Sequence, residues 1–318
     1  MNRRHFLAAS AVSVAPALAR TDNWPSRPLK LVVGFPPGGS ADAIARAVAA
    51  VLPASLGQPA VVENRPGASS IIASEYVINA NDGHTVLLHP AGIHAIRPHV
   101  TTLRFDPWKE LLPLTTLAAV PTVFLSSGKR PFKTLTDLLA YARANPGKLN
   151  MAMAGNATLT HLTSELLRTR AGIDAVAVPF NGAGPALNAL LGDSVDVVAL
   201  DASTVIAQVA SGQLRALAVA DPQRYPFLPD VPTTAELGYP QVIGSNAYGI
   251  HVPAAMPAAH QARLLAAVHA ALKVPTLVEA FGAIGLVPRG STPAAYTALA
   301  RADETRFKPL IAQLGLRM

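Results

Sequence analysis

Short β-rich runs alternate with amphipathic helical stretches from Pro28 onward, and this alternation restricts the fold more than any other feature of the sequence. Leu29–Phe35 reads as a strand, Pro36-Pro37-Gly38-Gly39 as a turn, and a helix opens at Ser40 with Ala41, Ile44, Ala45, Val48 and Leu52 on one face. Ala60–Glu63 is the next strand, a helix runs to about Ala80, and Thr85–His89 follows the turn signal Asn81-Asp82-Gly83. A second region repeats the pattern. Thr122–Leu125 is predicted as a strand, and Thr134 with Asp137 three residues later has capping-box form. Strands are then expected at Leu149–Met153, Val176–Pro179, Val195–Leu200 and Leu214–Val219, separated by helices at Thr158–Thr169, Pro185–Leu191 and Val205–Ser211. A last strand at Tyr248–Val252 precedes three helical segments at Pro257–Leu272, Thr276–Ile284 and Thr292–Leu314.

Such alternation predicts an α/β fold of mainly parallel sheets flanked by helices. At 318 residues the chain is too long for one core of ordinary size. The expectation is two lobes, residues 20–123 with 247–318 and residues 124–246, with the helical tail packing back on the first. Crossings fall near Val120–Phe124 and Gly244–Tyr248, and the cleft between lobes is the default ligand site.

Composition removes several function classes. Half of the residues are hydrophobic and 14% are charged, which excludes a disordered chain. With no cysteine there is no disulfide scaffold, cysteine nucleophile or thiolate zinc site. The net charge of +7 does not point to nucleic acid, because Lys and Arg are scattered and no aromatic residues interleave them in a patch.

Part of that charge lies in Met1–Ala19, where Arg3-Arg4-His5-Phe6-Leu7, an apolar stretch and Ala17-Leu18-Ala19 have the parts of a twin-arginine-like signal peptide. The mature protein is therefore expected in the periplasm, where ATP and NAD are scarce and binding or hydrolysis gains weight. No later stretch offers eighteen uninterrupted apolar residues.

Three strand–loop–helix junctions carry the functional signal. In Gly34–Asp42 two glycines allow close backbone approach and the N–H groups of a helix start favour an anion. The Ser40 hydroxyl either caps that helix or donates to a ligand, and Asp42 is the other cap candidate. Gly155–His161 and Pro179–Pro185 are built the same way, with Thr158 placed to cap or bind. None of the three is a Walker loop or a dinucleotide fingerprint. His84, His89, His94 and His99 recur every five residues, but that step turns roughly 140° around a helix and crosses to the opposite face of a strand. Their spacing reads as coincidence, and no metal or cofactor is expected.

Six segments, Val32–Asp42, Val62–Ala68, Gly155–Leu162, Val178–Leu187, Leu214–Val219 and Leu228–Gly238, occur in an order that resembles the Bug family of solute-binding receptors of tripartite tricarboxylate transporters. The resemblance covers essentially the whole mature chain. It implies a type II periplasmic-binding-protein fold, a monomer that closes on a small organic acid, and membrane transporter subunits as partners. Carried over by position, ligand contacts fall on Phe35, Gly39, Ser40, Ala41 and Asp42, and on Asn156, Ala157, Thr158 and His161 of the second lobe. Asn181, in the third junction, joins the candidate set.

Two departures bear on the ligand. Ser69 and Ser70 stand where the family often has glycines, which gives a bulkier pocket wall. Many relatives place an ammonium-pairing Asp where ungapped counting puts Leu200, with Asp201 one residue later and turned to the other face. This argues against an α-amino acid. Two rival readings are a sensor feeding a signalling partner and an exported hydrolase with Ser40 or Ser69 as nucleophile and His94 or His161 as base. The leading expectation is that backbone donors at several helix starts hold a carboxylate with no dedicated arginine.

Overall fold

The computed structural model describes residues 23–317, so the segment read as an export signal lies outside the described residues. The strands are β1 Leu29–Val33, β2 Ala60–Asn64, β3 Thr85–Pro90, β4 Leu111–Ser127, β5 Leu149–Ala154, β6 Ala175–Phe180, β7 Val197–Asp201, β8 Leu214–Val219 and β9 Ser245–Pro253. The longer helices are α1 Ser40–Val51, α2 Ile71–Ala80, α3 Leu135–Ala144, α4 Leu159–Ala171, α5 Ala183–Leu191, α6 Ala258–Ala271, α7 Pro275–Ala283 and α8 Pro293–Leu314.

The strand order β2-β1-β3-β9-β4-β7-β5-β6, with β8 on β4, divides into two sheets. In the first, β1 pairs with β2 and β3 in parallel. In the second, β5 pairs with β6 and β7 in parallel. Antiparallel β4 and β9 complete the first sheet, and β4 also pairs antiparallel with β7 and β8 in the second. Each sheet is therefore mixed, with a parallel block of three strands, because the strands that link the lobes run against those blocks.

The 17-residue β4 is the largest difference from the sequence reading, which predicted only Thr122–Leu125. Pro113 and Pro121 lie inside it, and proline normally marks an edge or a bulge. The ladder to β9 shifts register between Pro113 and Thr115 and again between Thr116 and Ala118. It ends at Pro121, and from Thr122 the strand pairs with β7 instead.

The tail also departs from expectation. In α8, Tyr296 and Ala300 pack with Ala91 and Ala247, while Phe307, Leu310 and Ile311 enter the cluster that holds Leu138, Met151 and Leu162. The helix thus straddles both lobes rather than returning to the first alone. A further apolar cluster runs continuously from Leu31 and Ile44 to Leu190 and Leu200.

Candidate functional site

The first junction folds around Asp42. Its carboxylate accepts from Gly38 N at 3.0 Å, Arg46 Nε at 2.9 Å and Asn64 Nδ2 at 3.0 Å. Burial opposes ionisation, but the bonds from Arg46, Gly38 and Asn64 outweigh it and hold the carboxyl below its ordinary value. Asp42 therefore ties the loop together rather than capping the helix. Gly39 is the N-cap of α1 and supplies no side chain, so the Ser40 hydroxyl is not used as a cap. Phe35, at the head of the loop, stacks on His89 with ring centroids 5.2 Å apart. The N–H groups of the first turn, at Ser40, Ala41 and Asp42, have no acceptor within the helix.

The second wall is strained. Ala68, Ser69 and Ser70 have φ of 44°, 49° and 76°, three consecutive residues with side chains in the left-handed region. Ser70 is fully buried and donates to Gly34 O at 2.9 Å, pinning the end of β1. Its side chain occupies the space where a Cβ on Gly34 would stand. Ser70 is thus structural, while Ser69 remains half-buried beside it.

In the second lobe Thr158 caps α4, accepting from His161 N at 3.2 Å and donating to Ala154 O at 3.0 Å. His161 Nδ1 accepts from Ala157 N at 2.9 Å, and burial pushes the ring below its ordinary value. Asn156 and Asn181 are exposed in the turns after β5 and β6.

Several contacts join the lobes near these residues. Ser40 Oγ lies 2.8 Å from Ser203 Oγ. Arg97 Nη2 donates to Ala157 O at 2.5 Å, with the arginine 4% exposed. Burial lowers the guanidinium to about 10. A buried cation thus stands against the candidate Ala157, bonded to its carbonyl. Nothing in the local pattern Ile96-Arg97-Pro98 marks it, because its burial depends on a residue sixty positions away.

Leu200 and Asp201 point to opposite sides, as strand alternation requires. Leu200 is in the core, whereas Asp201 accepts from Asn246 Nδ2 at 2.7 Å and Tyr248 Oη at 2.6 Å. Burial raises its carboxyl to about 6, only partly offset by those bonds. Burial and Asp201 raise the Tyr248 phenol, while the neighbouring Ser40 hydroxyl acts in the other direction. Ser203, Tyr248 and Asn246 were not among the candidates drawn from the sequence; Tyr248 at a lobe crossing was the available signal.

The four regularly spaced histidines do not gather around one point. His84 bonds Asp82, His89 and His94 pack on His251, and His99 pairs with Glu304 at 3.0 Å. No cluster of metal-ligating side chains is present among the described residues. The two bases named for a hydrolase are engaged elsewhere: His161 with Ala157 N and His94 with Leu111 O at 2.7 Å.

Residues 44–316 match the family described as "Tripartite tricarboxylate transporter family receptor". The chain is 32% identical to Protein BugT of Bordetella pertussis over 326 residues, covering 100% of each chain. It superposes on a Rhodopseudomonas palustris protein solved with adipate at a TM-score of 0.86 and 31% identity, covering 92% of this chain and 99% of the other. MatC from Rhodopseudomonas palustris, with bound malate, gives 0.83 and 31%, covering 91% and 100%.

Proposed function

The chain belongs to the tripartite tricarboxylate transporter receptor family, and from that premise we propose that it captures a small carboxylate outside the cytoplasm and delivers it to the membrane subunits of such a transporter. Met1–Ala19 directs its export and is removed, and the mature receptor is a monomer without catalytic activity. Residues 20–123 with 247–318 form one lobe and 124–246 the other.

The observation that carries this reading is the contact of Ser40 with Ser203 and of Arg97 with Ala157 at the junction of the lobes. Free first-turn N–H groups of α1 and the Ser40 hydroxyl offer donors from one side. The start of α4, held in place where Arg97 donates to Ala157 O, offers donors from the other. Phe35, Gly39, Ser40 and Ala41 touch the ligand, with Ser69, Asn156, Ala157 and Asn181 bordering it. Asp42, Ser70, Thr158 and His161 shape the loops that present these groups, and Asp201 acts from behind the site. Adipate and malate, found in two similar structures, set the ligand class.

The test is a thermal-shift screen of mono- and dicarboxylates against neutral sugars and divalent metals. A ligand at a hundred times its Kd adds about 2.7 kcal/mol of stability, so a true ligand gives a clear shift, and Ser40→Ala weakens it. Stabilisation by sugars or metals alone would sink the reading.

A further inference from the structure

Asp201 closes β7 at 7% exposure, with both carboxylate oxygens held by β9 through Asn246 and Tyr248. Two residues later, Ser203 meets the Ser40 hydroxyl of the first junction. Tyr248 links the two contacts, because its phenol proton goes to Asp201 while the Ser40 hydroxyl lies beside its oxygen. Asp201, Tyr248, Ser40 and Ser203 therefore form a line from a buried carboxyl to the loop where a ligand is expected.

A hydroxyl has one proton to donate, and an ionised carboxylate only accepts. With Asp201 ionised, Tyr248 donates to Asp201 and leaves its lone pairs to attract the proton of the Ser40 hydroxyl beside it, while Ser203 donates to Ser40. The Ser40 proton then points inward, and the serine offers a ligand carboxylate only lone pairs. With Asp201 protonated the line reverses. The carboxyl donates to Tyr248, whose own proton then faces Ser40 and turns the Ser40 proton toward the ligand, while Ser203 still donates to Ser40.

Resting on the receptor reading and going beyond it, we infer that Asp201 is a positioning residue that acts through Tyr248 on the direction of the Ser40 proton, so that a carboxylate is captured together with one proton. The proton comes from solvent and resides on Asp201 in the complex; no covalent bond of the ligand changes. The titratable groups acting on Asp201 are the phenols of Tyr248 on β9 and Tyr225 after β8, both kept neutral by burial. Its other partners, Asn246 on β9 and the register partner Thr122 on β4, carry no charge. Burial already lifts the carboxyl to about 6, and an anion at Ser40 lifts it further.

The experiment is titration calorimetry of the full-length receptor with adipate and with malate at pH 7, in buffers of low and high ionisation enthalpy. The expected result is a buffer-dependent heat corresponding to proton uptake, and an affinity that weakens by up to about tenfold per pH unit from pH 7 to 8. In Asp201→Asn the amide donates to Tyr248 as a protonated carboxyl does, so affinity should hold at the low-pH level with no uptake. Tyr248→Phe cuts the line, flattening the pH profile and weakening binding. Binding with a buffer-independent heat overturns this inference alone. So does uptake that survives in Asp201→Asn, which would move the proton to His161. If Asp201→Asn does not fold, the wild-type heats and Tyr248→Phe still decide. Failure of every mono- and dicarboxylate in the screen to bind overturns the receptor reading, and this inference with it.

Discussion

Arg97 donates to the carbonyl of Ala157 across sixty positions of sequence, and Ala157 itself sits at φ 49°, in the left-handed region. The arginine thus holds a turn that a residue with a Cβ adopts only at a cost. Its guanidinium binds a neutral acceptor on one lobe while being carried by the other.

Arg97→Ala removes a charged donor, strands a buried carbonyl and leaves a void. The expected loss is about 3 kcal/mol in urea unfolding. Arg97→Lys keeps the charge but not the fork, and should fall between the two. A loss below 0.5 kcal/mol for the alanine variant would contradict the contact.

Gly34→Ala places a methyl where the Ser70 side chain already stands. Either Ser70 gives up its bond to Gly34 O or the end of β1 shifts. A loss of roughly 2 kcal/mol is expected by chemical denaturation, and Gly34→Ala combined with Ser70→Gly should recover part of it.

Ala68 is exposed and held at φ 44°. Ala68→Gly relieves that conformation and should raise stability by about 1 kcal/mol, less the entropy glycine adds to the unfolded chain. A lower melting temperature would refute the strain.

Acid should destabilise the protein well above the carboxylate range. Burial holds His89 at about 3 and His94 at about 4, and pushes His251 and His161 below the ordinary 6.5. The unfolded chain protonates these rings below about 6.5, and the folded one resists, so stability falls as pH drops from there toward 4. Each ring contributes up to about 1.4 kcal/mol per pH unit. Asp201 and Asp303, raised to about 6, act in the opposite direction between 6 and 3.8, but four imidazoles outnumber two carboxyls. The check is urea melts from pH 7 to pH 4.5; His94→Gln should flatten the slope.

Local features were readable from the sequence wherever the physics is local. The capping box at Thr134 and Asp137 formed as its spacing predicted, and the Gly38-Gly39 turn opened a helix at Ser40. The sequence reading placed only Thr122–Leu125 in β4; prolines at 113 and 121 interrupt its pattern, and only a partner strand shows that one sits at a bulge and the other at a change of neighbour. His89 and His94 looked like coincidence because His251, on which both pack, lies on β9 far along the chain. For the same reason the junction Asp201–Tyr248–Ser40–Ser203 was out of reach, since each link joins a different element. Loop chemistry declared itself; contacts that exist only once the two sheets meet did not.

Strand β4 runs unbroken from its ladder with β9 into its ladder with β7, and α8 packs on elements of both sheets. Neither half is a transplantable module. A chimaera exchanging one lobe for a relative's would have to cut β4 and re-seat the final helix, and heating should melt the whole in a single calorimetric peak. Ligand preference in such a scaffold is best redirected by grafting loops onto the common frame.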